Sequence, residues 1–171
     1  FGSERGTHML DGGAHFYDTY ETQDGRYVSI GAIEPQFYAL LLEKTGADKA
    51  TFAPQMDQAQ WPQLKSKLAA LIKTRTQAEW CTLLEGSDAC FAPVLSLAEA
   101  PSHAHNAARQ TYVDVGGITQ PAPAPRFSAT PADLPSPAKA PGADTRSVLL
   151  ALGFAETEIQ QLINEKVVIQ A

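Results

Sequence analysis

The residue best placed for chemistry is Glu34, in the run Gly31-Ala32-Ile33-Glu34-Pro35. A carboxylate where a strand hands over to a helix sits where α/β-type units present functional groups. The same place suits a first-turn acid that complements the helix dipole, so residue type alone leaves both roles open. His103 and His105 form a His-x-His pair, and imidazoles are common metal ligands. Two ligands make no site, and His8 and His15 are remote in sequence, so no metal is expected. Cys81 and Cys90 could supply a nucleophile only if a nearby base or helix N-terminus lowered a thiol pKa. Cys81 falls in an apolar helical stretch and Cys90 in an apolar strand, so buried, inert thiols are expected. Asp11-Gly12-Gly13-Ala14 has neither GxGxxG spacing nor the lysine of a phosphate loop, and reads as a turn.

The elements that must position these groups follow from local signals. Tyr17-Asp18-Thr19-Tyr20-Glu21 and Arg26-Tyr27-Val28-Ser29-Ile30 flank Asp24-Gly25 and predict a hairpin. Pro35 opens a helix carrying Phe37, Leu40 and Leu41, with Gly46 as its stop. A second helix starts at Trp61-Pro62 and presents Leu64, Leu68, Leu71 and Ile72 on one face. Thr76-Gln77-Ala78-Glu79 is a capping box for a short helix burying Trp80, Leu83 and Leu84. Cys90 to Leu95 reads as a strand that Pro93 confines to an edge, and Ser96-Leu97-Ala98-Glu99 as a further capping box. Seven of the twelve prolines fall from Pro121 to Pro141, which predicts an extended surface segment. Beyond it, Asp144-Thr145 caps a helix closed by Gly153, and a last helix carries Ile159, Leu162 and Ile163.

The expected class is α+β: a small domain over residues 1–115, a proline-rich return linker over 116–143, and C-terminal helices over 144–171. The 171 residues suit one compact domain with appendages, and 44% hydrophobic residues suffice for a core. A net charge of −6 argues against a nucleic-acid partner, since such a surface repels polyanions. No apolar run approaches the roughly 18 residues that span a bilayer, so no membrane partner is expected. Two cysteines outside any CxxC pair fit a reducing, cytoplasmic compartment. Because the chain opens on Phe1, it is expected to be a piece of a longer protein.

Longer motifs carry a resemblance. Met9-Leu10-Asp11-Gly12-Gly13-Ala14, Phe16-Tyr17, Asp24-Gly25-Arg26-Tyr27 and Gly31-Ala32-Ile33-Glu34-Pro35-Gln36-Phe37-Tyr38 resemble the family III CoA-transferase (CaiB/BaiF) superfamily, in its branch of 2-methylacyl-CoA racemases. The likeness continues through Trp61-Pro62, Ala78 to Cys81, Asp88 to Leu95, Pro123 to Phe127, Thr145 and Leu152-Gly153-Phe154. The resemblance implies a large Rossmann-like lobe, a small α+β lobe and an interlocked homodimer, with this chain as the C-terminal half. Its last helices would then pack on the large lobe.

The chemistry implied is racemisation of the α-carbon of an acyl-CoA thioester. A base removes the proton that the thioester carbonyl acidifies, and an acid returns one to the opposite face of the enolate. The family's His and Asp pair for this task belongs to the other half. Glu34 matches the glutamate that orients that His, and Leu10, Tyr17 and Ile33 match positions lining the acyl pocket. No cofactor is implied, CoA being part of the substrate. The competing activity is CoA transfer between carboxylic acids, which in this superfamily uses an Asp and a glycine run near the position of Ile33-Glu34-Pro35. Alone, the chain is expected to be a non-catalytic dimerisation or interaction domain.

Overall fold

The computed structural model describes residues 4–171; Phe1-Gly2-Ser3 lies outside them. The chain divides into two compact units, one ending at Ala100 and one beginning at Pro101. The first is built on an antiparallel sheet of order β1-β2-β3, where β1 is Tyr17–Glu21, β2 is Tyr27–Gly31 and β3 is Phe91–Val94. The β1–β2 turn is built as its residues predict. Gly25 takes φ 76°, its N–H donates to the Thr22 carbonyl at 3.1 Å, and Thr22 N–H donates to Arg26 at 2.8 Å. Pro93 sits on the edge strand, where its missing donor costs no ladder bond on the open side.

Three helices pack on this sheet: α1 (Pro35–Thr45), α2 (Trp61–Ile72) and α3 (Gln77–Leu84). Pro35 is at the start of α1, and Gly46 ends it with φ 72°, a left-handed conformation that glycine adopts without a Cβ penalty. The Thr76–Glu79 box forms in both directions at the head of α3. Strand alternation sends Tyr20, Val28 and Ile30 into the core, where they join Leu41, Leu64, Leu68, Ile72, Trp80 and Leu84. Trp80 is fully buried, and its indole N–H donates to the Ile72 carbonyl at 2.7 Å, so its one polar atom is satisfied.

The second capping box forms without its helix. Ser96 and Glu99 exchange hydrogen bonds, yet the chain makes only a turn there and Leu97 is 95% exposed. Pro101 offers no N–H to the Leu97 carbonyl, so a helix begun at Ser96 cannot propagate.

The second unit holds a short helix α4 (Ala104–Ala108), a hairpin of β4 (Tyr112–Val115) and β5 (Ile118–Pro121), and helices α5 (Thr145–Ala151) and α6 (Glu156–Asn164). Gly116 and Gly117 both take positive φ, 64° and 83°, as a two-residue turn of matching twist requires. Val115 pairs with Ile118 across this turn. Asp144 stands at the N-cap of α5, but its carboxylate takes the Lys139 ammonium at 2.7 Å and makes no cap. The C-terminal tail returns to this helix: Gln170 accepts from Arg146 N–H at 2.9 Å, and Thr145 Oγ1 donates to Ile169 at 2.7 Å. Ile159 is fully buried, while Val148, Leu150, Leu152 and Phe154 remain exposed.

Candidate functional site

The outer face of the sheet is concave because its side chains are small. Thr19, Ser29 and Ala92 form one cross-strand row, and Gly31 lies opposite Tyr17 in the register. A Cβ on Gly31 would stand 3.6 Å from the Tyr17 ring, so the aromatic side chain leans over bare backbone. An open groove of about 630 Å³ follows this row, with Leu10, Phe37 and Phe91 as apolar walls and Asp11, Asp18 and Asp88 at its margins. Among the described residues, no Lys or Arg is in its lining.

Of the acyl-pocket residues named from the resemblance, the groove brings together Leu10 and Tyr17, and Asp11, Gly12 and Cys90 line it too. Ile33 and Glu34 are not in its lining, although Phe37, on the first turn of the helix that Glu34 precedes, is. Gln55, which sequence reasoning passed over, holds the corner that carries Glu34. Its side-chain amide donates to the carbonyls of Ala32 at 3.2 Å and Ile33 at 2.8 Å, and its backbone carbonyl accepts the Trp61 indole N–H at 2.8 Å. Glu34 itself is exposed at the N-cap of α1 and makes no capping hydrogen bond. Its place at the N-cap still sets its charge at the positive end of the helix dipole.

The loop bearing Leu10 is fixed around Asp11, whose carboxylate accepts from the N–H groups of Gly6, His8 and Gly13 at 2.8, 2.7 and 3.3 Å. Desolvation disfavours that charge, but these donors and nearby His8 outweigh it and hold the carboxyl below its ordinary range. Gly13 is obligatory here, since a Cβ would meet the His8 carbonyl oxygen at 2.6 Å.

The cysteine expectation changes. Cys90 precedes β3 with φ 50° and is exposed on the groove, because the chain turns there to let its carbonyl accept Gly31 N–H at 2.8 Å. Cys81 is half-buried. Partial desolvation, then the charges of Glu34 and Asp88, raise the Cys90 pKa. Burial, aided by Glu85, pushes Cys81 up to about 11. Neither sulfur is an activated thiolate. Among the described residues, no three His, Cys, Asp or Glu side chains gather as metal ligands would, and no helix is long and apolar enough to cross a membrane.

The chain is 46% identical over 167 residues to the alpha-methylacyl-CoA racemase of Mus musculus and 42% identical over 167 residues to that of Homo sapiens. In each case 96% of this chain aligns with 44% of the relative, in its C-terminal part, so the chain spans less than half their length. A CaiB/baiF CoA-transferase family protein of Caenorhabditis elegans is 25% identical over 118 residues, 69% of this chain and 33% of that protein. Among solved structures, Rv3272 of Mycobacterium tuberculosis superimposes with a TM-score of 0.57 at 21% identity, over 67% of this chain and 34% of that one, a likeness of fold. Residues 2–145 match CoA-transferase family III, and the chain belongs to that family.

Proposed function

We propose that this chain works as the C-terminal part of a longer enzyme that racemises the α-carbon of 2-methylacyl-CoA thioesters. The observation that carries the reading is Glu34, an exposed carboxylate at a braced corner that makes no side-chain hydrogen bond to its own helix. Such a group is free to accept an N–H from outside this chain. In the racemase reading that donor is the imidazole of the other half, whose tautomer and ring plane Glu34 fixes. The imidazole then takes the α-proton, the C–H electron pair moves into the thioester as an enolate, and an Asp of the other half protonates the opposite face.

The groove is the place for the acyl tail. Its walls are apolar, which suits an acyl tail, and the CoA phosphates are assigned to the other half. The exposed apolar side chains of α5 and its following turn, Val148, Leu150, Leu152 and Phe154, are assigned to packing against that half. The assembly proposed is an interlocked homodimer, with no cofactor beyond the CoA of the substrate.

Given one enantiomer of a 2-methylacyl-CoA and an added free carboxylic acid, the full-length protein is expected to return both enantiomers and leave the acid free of CoA. Appearance of the added acid as its CoA thioester, with the enantiomer unchanged, would replace racemisation by CoA transfer.

A further inference from the structure

Lys65 lies on the second turn of α2, far from Leu10 in sequence, yet it reaches the groove-lining loop. Its ammonium donates to the Gly12 carbonyl at 2.6 Å and pairs with the Asp18 carboxylate on β1. Asp18 is itself oriented, its other oxygen accepting the Thr19 N–H at 2.8 Å. Gly12 packs against the same carboxylate: with φ 90°, a Cβ there would stand 3.3 Å from Asp18 Oδ1. A second tie comes from just before α2, where Gln58 donates to the Thr7 carbonyl at 3.0 Å. The geometry points to Lys65 as a positioning residue that straps the Leu10 loop to β1 and α2, fixing the width of the acyl groove and so the fit of the substrate's tail. This rests on the groove being the acyl site.

An ammonium between a carboxylate and a carbonyl is a directional clamp. Removing it leaves Leu10, already 60% exposed, on a loop held by fewer bonds. The loss falls on tail binding and not on the proton transfers, which the groove residues do not perform.

The test uses the full-length protein and its Lys65→Met, Lys65→Arg and Asp18→Asn variants, assayed with 2-methylacyl-CoA substrates of short and long acyl chain. Lys65→Met is expected to raise KM for the long-chain substrate about 5–20-fold while kcat holds within about twofold, and Lys65→Arg to recover most of the loss. Asp18→Asn, nearly isosteric, is expected to shift KM in the same direction and serves if Lys65→Met does not fold. In parallel, amide hydrogen exchange over residues 6–13 is expected to accelerate about tenfold or more in Lys65→Met or Asp18→Asn. Unchanged exchange and unchanged KM overturn the inference. Faster exchange in an enzyme whose wild type lacks racemase activity keeps the strap and removes the proposed reaction instead.

Discussion

Replacing Glu34 with glutamine in the full-length protein is expected to lower kcat about 10–100-fold while KM stays within about twofold. The barrier change is about 1.4–2.7 kcal/mol, the scale of a lost orienting partner and well short of a lost base. Glutamine keeps the shape and the hydrogen-bonding oxygen but drops the charge. An imidazole that has lost an adjacent anion is harder to protonate, so the acidic limb of the kcat–pH profile should move to lower pH as well. That displacement separates positioning from simple stability, because a helix cap would change the melting temperature and leave the limb where it was. Glu34→Gln with wild-type kcat and an unmoved limb would return Glu34 to the status of a surface acid.

The second large effect concerns His15, which no role in the groove requires. The ring is fully buried among Phe16, Tyr38 and Phe52, in edge and tilted contacts at 5.2–5.8 Å. Tyr38 donates its hydroxyl to the Phe52 carbonyl at 3.0 Å and so accepts from His15 Nε2–H at 2.7 Å, which leaves Nδ1 bare and without a partner. Burial drives the imidazole pKa down from 6.5 to about 4. The folded value lies below the unfolded one, so between them the unfolded chain binds the proton and the folded chain does not. His15's contribution is therefore complete above pH 6.5, falls as pH drops toward 4, and is flat below. The loss across that window is on the order of 3 kcal/mol. Urea unfolding of the full-length protein at pH 7 and pH 4.5 should show a midpoint drop that His15→Phe largely abolishes. An equal drop in both proteins would assign the acid sensitivity to carboxylates instead.

What was legible in the sequence was set by neighbours along the chain. Pro35, Gly46 and the Thr76–Glu79 box mark their helices because each acts within one turn, and Asp24-Gly25 marks its hairpin for the same reason. The Gly116-Gly117 pair carried an equally local signal for the β4–β5 hairpin, but its flanking strands are short and lead straight into the prolines. Ser96–Glu99 shows the opposite failure: the cap chemistry is real, and Pro101 denies it a helix to start.

The candidate site was legible only in pieces. Leu10 and Tyr17 were recognised through a family resemblance, whereas the groove they share exists because Ser29, Gly31 and Ala92 are small on the outward face of two paired strands. Strand alternation on β2 contained that hint, but pairing with β3, whose partners lie more than sixty residues away, did not follow from it. Cys90 was misplaced for a related reason, since its exposure depends on a left-handed turn that no apolar run announces. The ties from Gln55 and Lys65 are long-range bonds to backbone carbonyls, a kind of contact with no sequence signature.

Enolate formation at the α-carbon is read by deuterium uptake from solvent. The full-length protein is incubated in D2O with a 2-methylacyl-CoA and no acceptor acid, and the thioester is followed by mass spectrometry. The expected result is a gain of one mass unit at the α-carbon, at a rate that Glu34→Gln slows. No deuterium at that carbon, from a preparation that in a second incubation passes CoA to an added carboxylate, would contradict it.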